Sequence, residues 1–567
     1  MKSPGFHSKA VQLGVIFAAA VLLIPAASLE AQSLHQKLGT QYTVTADARV
    51  QRPKTSPCLV SLFTNYQFAF FPDTTQTFQF APPSDCSAPW EKVVLDVEFS
   101  ENAGRQFDRT ASLYLDNVNL YFGTTPEPLS SKPNHWHIER EVTDYSPLFE
   151  NPQQGTMVLQ NCTTDCPAPY NTELNGVFTV SARLEFYPAG LHRRAPRTPD
   201  RVLPLTQSNG SGGLNQPAFL FTATDQLSST FNLPHNVEQA YLDVIAQSQQ
   251  LDEQWYACFP NDLASINEVY GCGNTDFRET EVTIDGQPAG IAPVSPWVFT
   301  GFLPDQWVPI PAAQTLDFVP YRVNLTPFAG LLSDGQPHTI ALSVFNNGGY
   351  FSAVASLLLY LDRDSAQISG AVTRNTLSSP NPSVTENLQG TSTVTGTIGV
   401  SQKRDFTIEG YIESAHGRVT TSVWQQQSFS SIQSINFDTV NFTVLKQKTS
   451  VDTRVKSLTT VFSRGKRVAT AESFSFPIRV DFTYPVNSAE FGFTVATRQN
   501  YQNSRLVWRN GAIGDFISVS NSVHADDVSP ASSAQHYTLF DLTNRPYDCR
   551  IASSSNTLSK VSFACGY

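Results

Sequence analysis

Gly104-Arg105-Gln106-Phe107-Asp108-Arg109 sets one carboxylate between an aromatic ring and flanking cations. An aspartate so placed is a candidate general base for a water molecule. Arg105 and Arg109 favour its ionised form and are expected to hold it below the ordinary value of ~3.9. A structural salt bridge at a sheet corner accounts for the same residues. A second cluster is Gly271-Cys272-Gly273-Asn274-Thr275-Asp276-Phe277-Arg278-Glu279. Its glycines permit unusual torsions and Cys272 can staple the loop. Asn274, Asp276, Arg278 and Glu279 then present groups suited to sugar or amide recognition, with an ordinary disulfide-bound loop as the alternative. His135-Trp136-His137 puts two histidines on one side of a strand, but no third metal ligand is identifiable nearby; a histidine-rich strand edge is the plainer reading and no metal is expected. Trp136, Trp297, Trp307, Phe345 and Tyr350 offer ring faces for sugar stacking or fill a core. The chain contains no GxSxG, HExxH, Walker loop or GxGxxG, so serine hydrolases and zinc proteases lack their usual signal.

These clusters sit between period-two segments. Val93, Leu95, Val97 and Phe99 alternate with Asp96 and Glu98; Phe178–Tyr187 and Ile478–Tyr484 repeat the pattern. Each predicts a half-buried antiparallel strand. Asp116-Asn117 and Asp285-Gly286 are hairpin-turn dipeptides. No long 3.6-residue stripe occurs, and the chain is rich in Phe (38) and Tyr (19) but poor in Met (2). The expected fold is mainly β, with sandwiches or jelly rolls. His192–Gly213 and Ser369–Thr391 read as linkers from their composition. They divide the chain into a leader at 1–31, a first domain at 36–192, a second at 203–365 and a C-terminal β-rich region at 370–567.

Lys2 and Lys9, the apolar run Val11–Ile24 and the small residues after it have the form of a secretory signal. The mature chain is expected to be secreted or periplasmic, without a membrane span. Eight cysteines behind such a signal suggest disulfides, most simply 58–86, 162–166, 258–272 and 549–565. A net charge of −12 argues against nucleic acid as a partner.

Taken in order, the motifs resemble those of the peptide:N-glycosidase A family. These are GRQFDR at 104–109, GxGNxxFRE at 271–279, IDG at 284–286, FTG at 299–301, the stretch Val323–Leu332 with Asp334-Gly335, and the closing loop Cys549–Cys565. The resemblance covers essentially the whole mature chain. A more distant likeness is to peptide:N-glycosidase F, which is built from two eight-stranded jelly rolls. Its aromatic-Asp-Arg motif carries the principal catalytic aspartate and aligns with Phe107-Asp108-Arg109. Its accessory glutamates fall here at Asn274 and near Asn161 or Cys162, where no carboxylate stands, which leaves Glu279 as the available substitute.

The resemblance implies two adjacent antiparallel jelly rolls plus the C-terminal domain. It implies an amidase that needs no cofactor, acts on N-glycosylated peptides and glycoproteins, and leaves aspartate; a monomer is expected. Asp108 is expected to activate water, Glu279 or an ordered water to protonate the leaving amine, Arg109 or Arg278 to steady the oxyanion with Asn274 as a further candidate, and Arg105, Trp136 and Trp297 to contact substrate. A carbohydrate-binding surface protein without catalysis and an endoglycosidase are the rival readings.

Overall fold

The structure, a computed structural model, describes residues 37–562 and 565, apart from 70–73, 128, 164–167, 169–172, 191–194, 266–271, 302–303, 416, 442, 484–493 and 527–530. The leader expected at 1–31 and Cys166 therefore lie outside the described residues. Among those described, no helix is long and apolar enough to cross a membrane.

The fold is mainly β. Eight strands form the first sandwich: β1 (Cys58–Phe68), β2 (Thr75–Phe80), β3 (Trp90–Glu101), β4 (Thr110–Leu115), β5 (Val118–Thr124), β6 (Asn134–Glu141), β7 (Gln153–Leu159) and β8 (Phe178–Pro188). They pair antiparallel as β1-β8-β3-β6 and β2-β7-β4-β5. The alternation in β3 does what its period demands: Val93, Leu95, Val97 and Phe99 are at most 1% exposed in the core between the sheets. Asp116 and Asn117 both take positive φ in the β4–β5 turn, a conformation for which short polar side chains are suited.

The opposite face of β3 is not the free solvent face its charges suggested. Asp96 is 3% exposed beneath Arg183 (3.2 Å), His137 (3.4 Å) and Arg52 (3.9 Å). His137, Asp96 and Glu139 bring possible ligand atoms within 4.8 Å, a carboxylate company the sequence did not disclose. Arg52 already bridges Glu139 and Glu185, so guanidinium charge occupies the place a cation would take. Trp136 points the other way. It is 2% exposed and stacked on Phe99 at 5.0 Å, which removes it from substrate contact.

The second sandwich pairs one sheet holding Leu227–Asn232, Pro337–Phe345, Glu279–Ile284 and Gln287–Pro293 with another holding Ala218–Leu220, Tyr350–Leu361, Val237–Gln249 and Tyr321–Asn324. Residues 312–319 run along β5 and join the sandwiches. Phe318 N–H donates to Phe122 O at 2.9 Å and Thr124 N–H to Thr315 O at 3.0 Å. A shared core of Tyr114, Phe122, Ile245, Trp297, Phe299, Phe318 and Val354 seals that junction.

The C-terminal region is a single antiparallel sheet built on long hairpins, including Thr393–Ser414, Gly417–Asp438 and Thr443–Ser463. The stretches read as linkers contain strands. Ser369–Asn375 and Ser383–Gln389 pair with 393–414, and Arg201–Pro204 pairs with 350–361. Threonine and serine in these runs suit a pleated surface as well as a loop, so composition misled. Cys258–Cys272 and Cys549–Cys565 are bonded. Cys58 and Cys86 carry free thiols where the simplest pairing expects a bond, yet the two side chains lie in contact, and Cys86 Sγ also donates to Phe186 O at 3.5 Å.

Candidate active site

Asp108 lies in the loop from β3 to β4, and Gln106 fixes that loop. The buried Gln106 amide donates to Cys162 O (3.1 Å) and Gly176 O (3.2 Å), while its Oε1 accepts from Phe107 N–H (3.0 Å) and from the Arg109 guanidinium. Arg109 N–H donates to Thr125 Oγ1 at 2.8 Å, which ties the loop to the end of β5. Phe107 is flanked by Arg105 and Arg109 at 5.8 and 5.5 Å from its ring. Arg105 turns outward to an ion pair with Glu173 at 2.6 Å.

The second sandwich supplies the facing wall. Gln247 and Gln249 meet Thr110 Oγ1 at 3.4 and 3.2 Å. Thr300 Oγ1 accepts from Glu127 N–H at 2.9 Å and donates to Thr125 O at 3.2 Å. Gly301 follows; a Cβ there would overlap Asp108 Oδ1 and lie 3.3 Å from Glu127 Oε2. The FTG motif thus does three jobs: Phe299 fills the shared core, Thr300 bonds across it, and Gly301 leaves room for two carboxyls. Gly301→Ala is expected to lower turnover on the order of 10²-fold by displacing Asp108, with an unchanged circular dichroism spectrum; near-normal turnover would show that this packing does not matter.

Four carboxyls gather here, three of them unforeseen. Burial pushes Asp108 up to about 6, outweighing the Arg109 charge and the N–H groups of Asp108 and Gly301. The expected depression by Arg105 and Arg109 is therefore reversed. Burial and then the Asp108 charge raise Glu127 to about 8. The same two causes raise Glu253, on the second sandwich, to about 7. Glu101, 2% exposed with neither oxygen hydrogen-bonded, is raised to about 9. In the folded chain these groups keep protons that an unfolded chain releases above ~4–4.5. Their stabilising contribution is complete below that value and is lost as pH rises through the folded values. The unfolding midpoint should therefore fall between pH 5 and pH 8; a midpoint that rises over this interval would contradict the assignment.

The 271–279 cluster serves the site from behind. Arg278 is 2% exposed and donates to Asp252 Oδ1 (2.6 Å), Thr275 O (2.8 Å) and Gly273 O (3.1 Å), so it cannot reach an oxyanion. Asp252 Oδ2 accepts from Gly348 and Gly349 N–H at 2.7 and 2.9 Å. Asn274 is spent on Asn261 and Asn346. Glu279 is fully buried against Arg404 and Gln427 of the C-terminal sheet, not beside Asp108. Trp297 is 4% exposed and packs on Phe318 at 4.2 Å. Of the candidate aromatics, half-buried Tyr350 stands near the site: its hydroxyl donates to Gln249 Oε1 at 3.5 Å, and its ring lies 5.7 Å from exposed Phe221.

Charge gave no hint of Glu127 or Glu253. Glu253 had one usable signal, the Asp252-Glu253 doublet immediately before the cysteine loop.

Residues 47–376 match the family described as Peptide N-acetyl-beta-D-glucosaminyl asparaginase amidase A. The chain is 27% identical over 550 residues to Peptide-N4-(N-acetyl-beta-glucosaminyl)asparagine amidase A of Prunus dulcis, covering 91% of each chain. It is also similar to PNGase F, a glycosylasparaginase from Flavobacterium meningosepticum, at 15% identity and a TM-score of 0.35, over 54% of this chain and 96% of that one. A crystal structure of a peptide-N(4)-(N-acetyl-beta-D-glucosaminyl) asparagine amidase gives 14% identity and a TM-score of 0.36 over the same shares.

Proposed function

The chain belongs to the peptide N-acetyl-beta-D-glucosaminyl asparaginase amidase A family, and from that premise we propose that it hydrolyses the side-chain amide of glycosylated asparagine in N-glycosylated peptides and glycoproteins. The observation that carries this reading is the unequal carboxyl group set between two sandwiches: Asp108 ionises first, while Glu253 and Glu127 keep their protons to higher pH. Carboxyls whose environments drive them apart divide the work of base and acid.

Asp108 takes a proton from water as the water oxygen bonds to the amide carbon. Arg109 stabilises the negative oxygen that develops. Glu253, on the opposite wall, gives its proton to the departing nitrogen as the carbon–nitrogen bond breaks. Glu127 shares the Gly301 niche with Asp108, whose charge helps to keep Glu127 protonated. The products are an aspartate-containing peptide and a glycosylamine, which water converts to the free sugar and ammonia. Tyr350 and Phe221 form a ring platform for the core sugars, consistent with sugar stacking on aromatic faces. One chain supplies both walls, so a secreted monomer suffices, and its disulfides suit an oxidising compartment.

The test is to incubate the protein with a defined glycopeptide in heavy-oxygen water and weigh the peptide. Sugar-free peptide bearing aspartate with one heavy oxygen supports the amidase. A peptide retaining one sugar would instead identify an endoglycosidase.

A further inference from the structure

The outer face of the C-terminal sheet carries a charge pattern that strand pairing does not favour. Arg498 stands directly opposite Arg479 on one neighbour and opposite His524 on the other. His536 stands opposite Arg550, and Lys560 lies across from Ala552. Like charges in direct cross-strand register weaken a sheet. This chain has twelve more formal negative than positive charges, yet it gathers these groups on one face.

They form the rim of a depression. Its floor is Ser522, Ala534 and Ala552, all small, so the longer cationic side chains stand above a trough of about 570 Å³. Three carboxylates answer the rim: Asp452 pairs with Arg479 at 2.7 Å, Asp526 with His524 at 3.0 Å, and Asp548 with both His536 (3.0 Å) and Arg550 (3.7 Å). Exposed Arg498 and Lys560 have no carboxylate within ion-pair distance among the described residues. Counting Arg479, Arg498, Arg550 and Lys560 against those three aspartates leaves one positive charge.

We propose that this trough binds an acidic oligosaccharide, a short chain of sugars bearing carboxylates, laid across the strands from Arg498 to Lys560. Four strand intervals separate those residues, a span of about 19 Å at the usual spacing of ~4.8 Å. Guanidinium forks match carboxylates in two-point geometry. Ser522 and Asn500, which also line the trough, supply hydroxyl and amide partners for sugar hydroxyls. The charge is too small for nucleic acid, whose tracking proteins commonly neutralise about 6–10 phosphates. A flat lipid surface would rest on the rim and leave the recessed floor empty. The site is independent of the proposed amide hydrolysis and would place the enzyme on acidic glycan matrices.

The experiment is calorimetric titration of the full chain with hexagalacturonate and with its fully methyl-esterified form, at low and high salt. The acid form is expected to bind, more weakly in high salt, and the ester at least ~10-fold more weakly because the charge contribution is gone. The double variant Arg498→Glu, Lys560→Glu should lose binding while cleaving a neutral glycopeptide normally, which separates this site from the amidase. The milder Arg498→Gln should bind at an intermediate level. Absent binding, equal binding of acid and ester, or undiminished binding by the double variant would overturn the proposal. So would phosphatidylserine vesicles or duplex DNA that bind more tightly than the oligosaccharide and in the same variant-sensitive way.

Discussion

Asp108→Asn should lower turnover by about 10²–10⁴-fold, the usual worth of a positioned acid or base, and leave the unfolding midpoint close to the parent's. The amide keeps the size of the carboxyl and fits the space that Gly301 leaves, but it cannot accept a proton from water. The pH profile gives a finer reading. With Asp108 near 6 required ionised and Glu253 near 7 required protonated, kcat/KM should describe a bell centred between those values. Glu253→Gln should remove the alkaline limb along with most of the rate. If Asp108→Asn kept near-normal turnover, the water-activating role would belong elsewhere. If Glu253→Gln left the alkaline limb in place, Glu127 would be the proton donor in its stead.

What was legible in the chain follows from how local each signal is. Alternation in β3 and β8 and the Asp116-Asn117 turn are written within a few residues, and the strands and hairpin appear where they say. Asp108 is legible because cations and an aromatic sit beside it in sequence, but those neighbours point to the wrong direction of its shift. Burial depends on Gly301 and Glu127 arriving from elsewhere, and burial outweighs neighbouring charge here. The acids failed for the same reason. Glu279 stands next to the right arginine in sequence, yet strand register turns it away toward Arg404. Glu253 stands in an unremarked segment that Arg278 carries into place through Asp252. The ring area that suits Trp136 and Trp297 to sugar stacking also makes them core residues when two sheets, or two sandwiches, must be sealed.

Arg278→Met should then be the most disruptive change outside the chemistry itself. Its guanidinium is fully enclosed, and removing it leaves Asp252 charged in a buried place with only the Gly348 and Gly349 N–H groups as partners. Breaking one side of such a pair typically costs about 3–5 kcal/mol, read as a lowered denaturant midpoint with an unchanged slope. The loss should spread to activity, because Asp252 directly precedes Glu253 and fixes the segment against the 346–349 turn. The double change Asp252→Asn, Arg278→Met removes both charges and should recover much of the stability of the single variant. It should not recover turnover, since the segment that presents Glu253 would still lack its anchor. Contrast comes from Glu279→Gln, which keeps a hydrogen-bonding partner for Gln427 and touches no group near Asp108. It should cost stability through Arg404 while the surviving folded enzyme turns over normally per molecule. If Arg278→Met instead kept full stability and lost only turnover, Arg278 would be acting on substrate after all, and the buried pair would not be the brace that links the cysteine loop to the acid on the second wall.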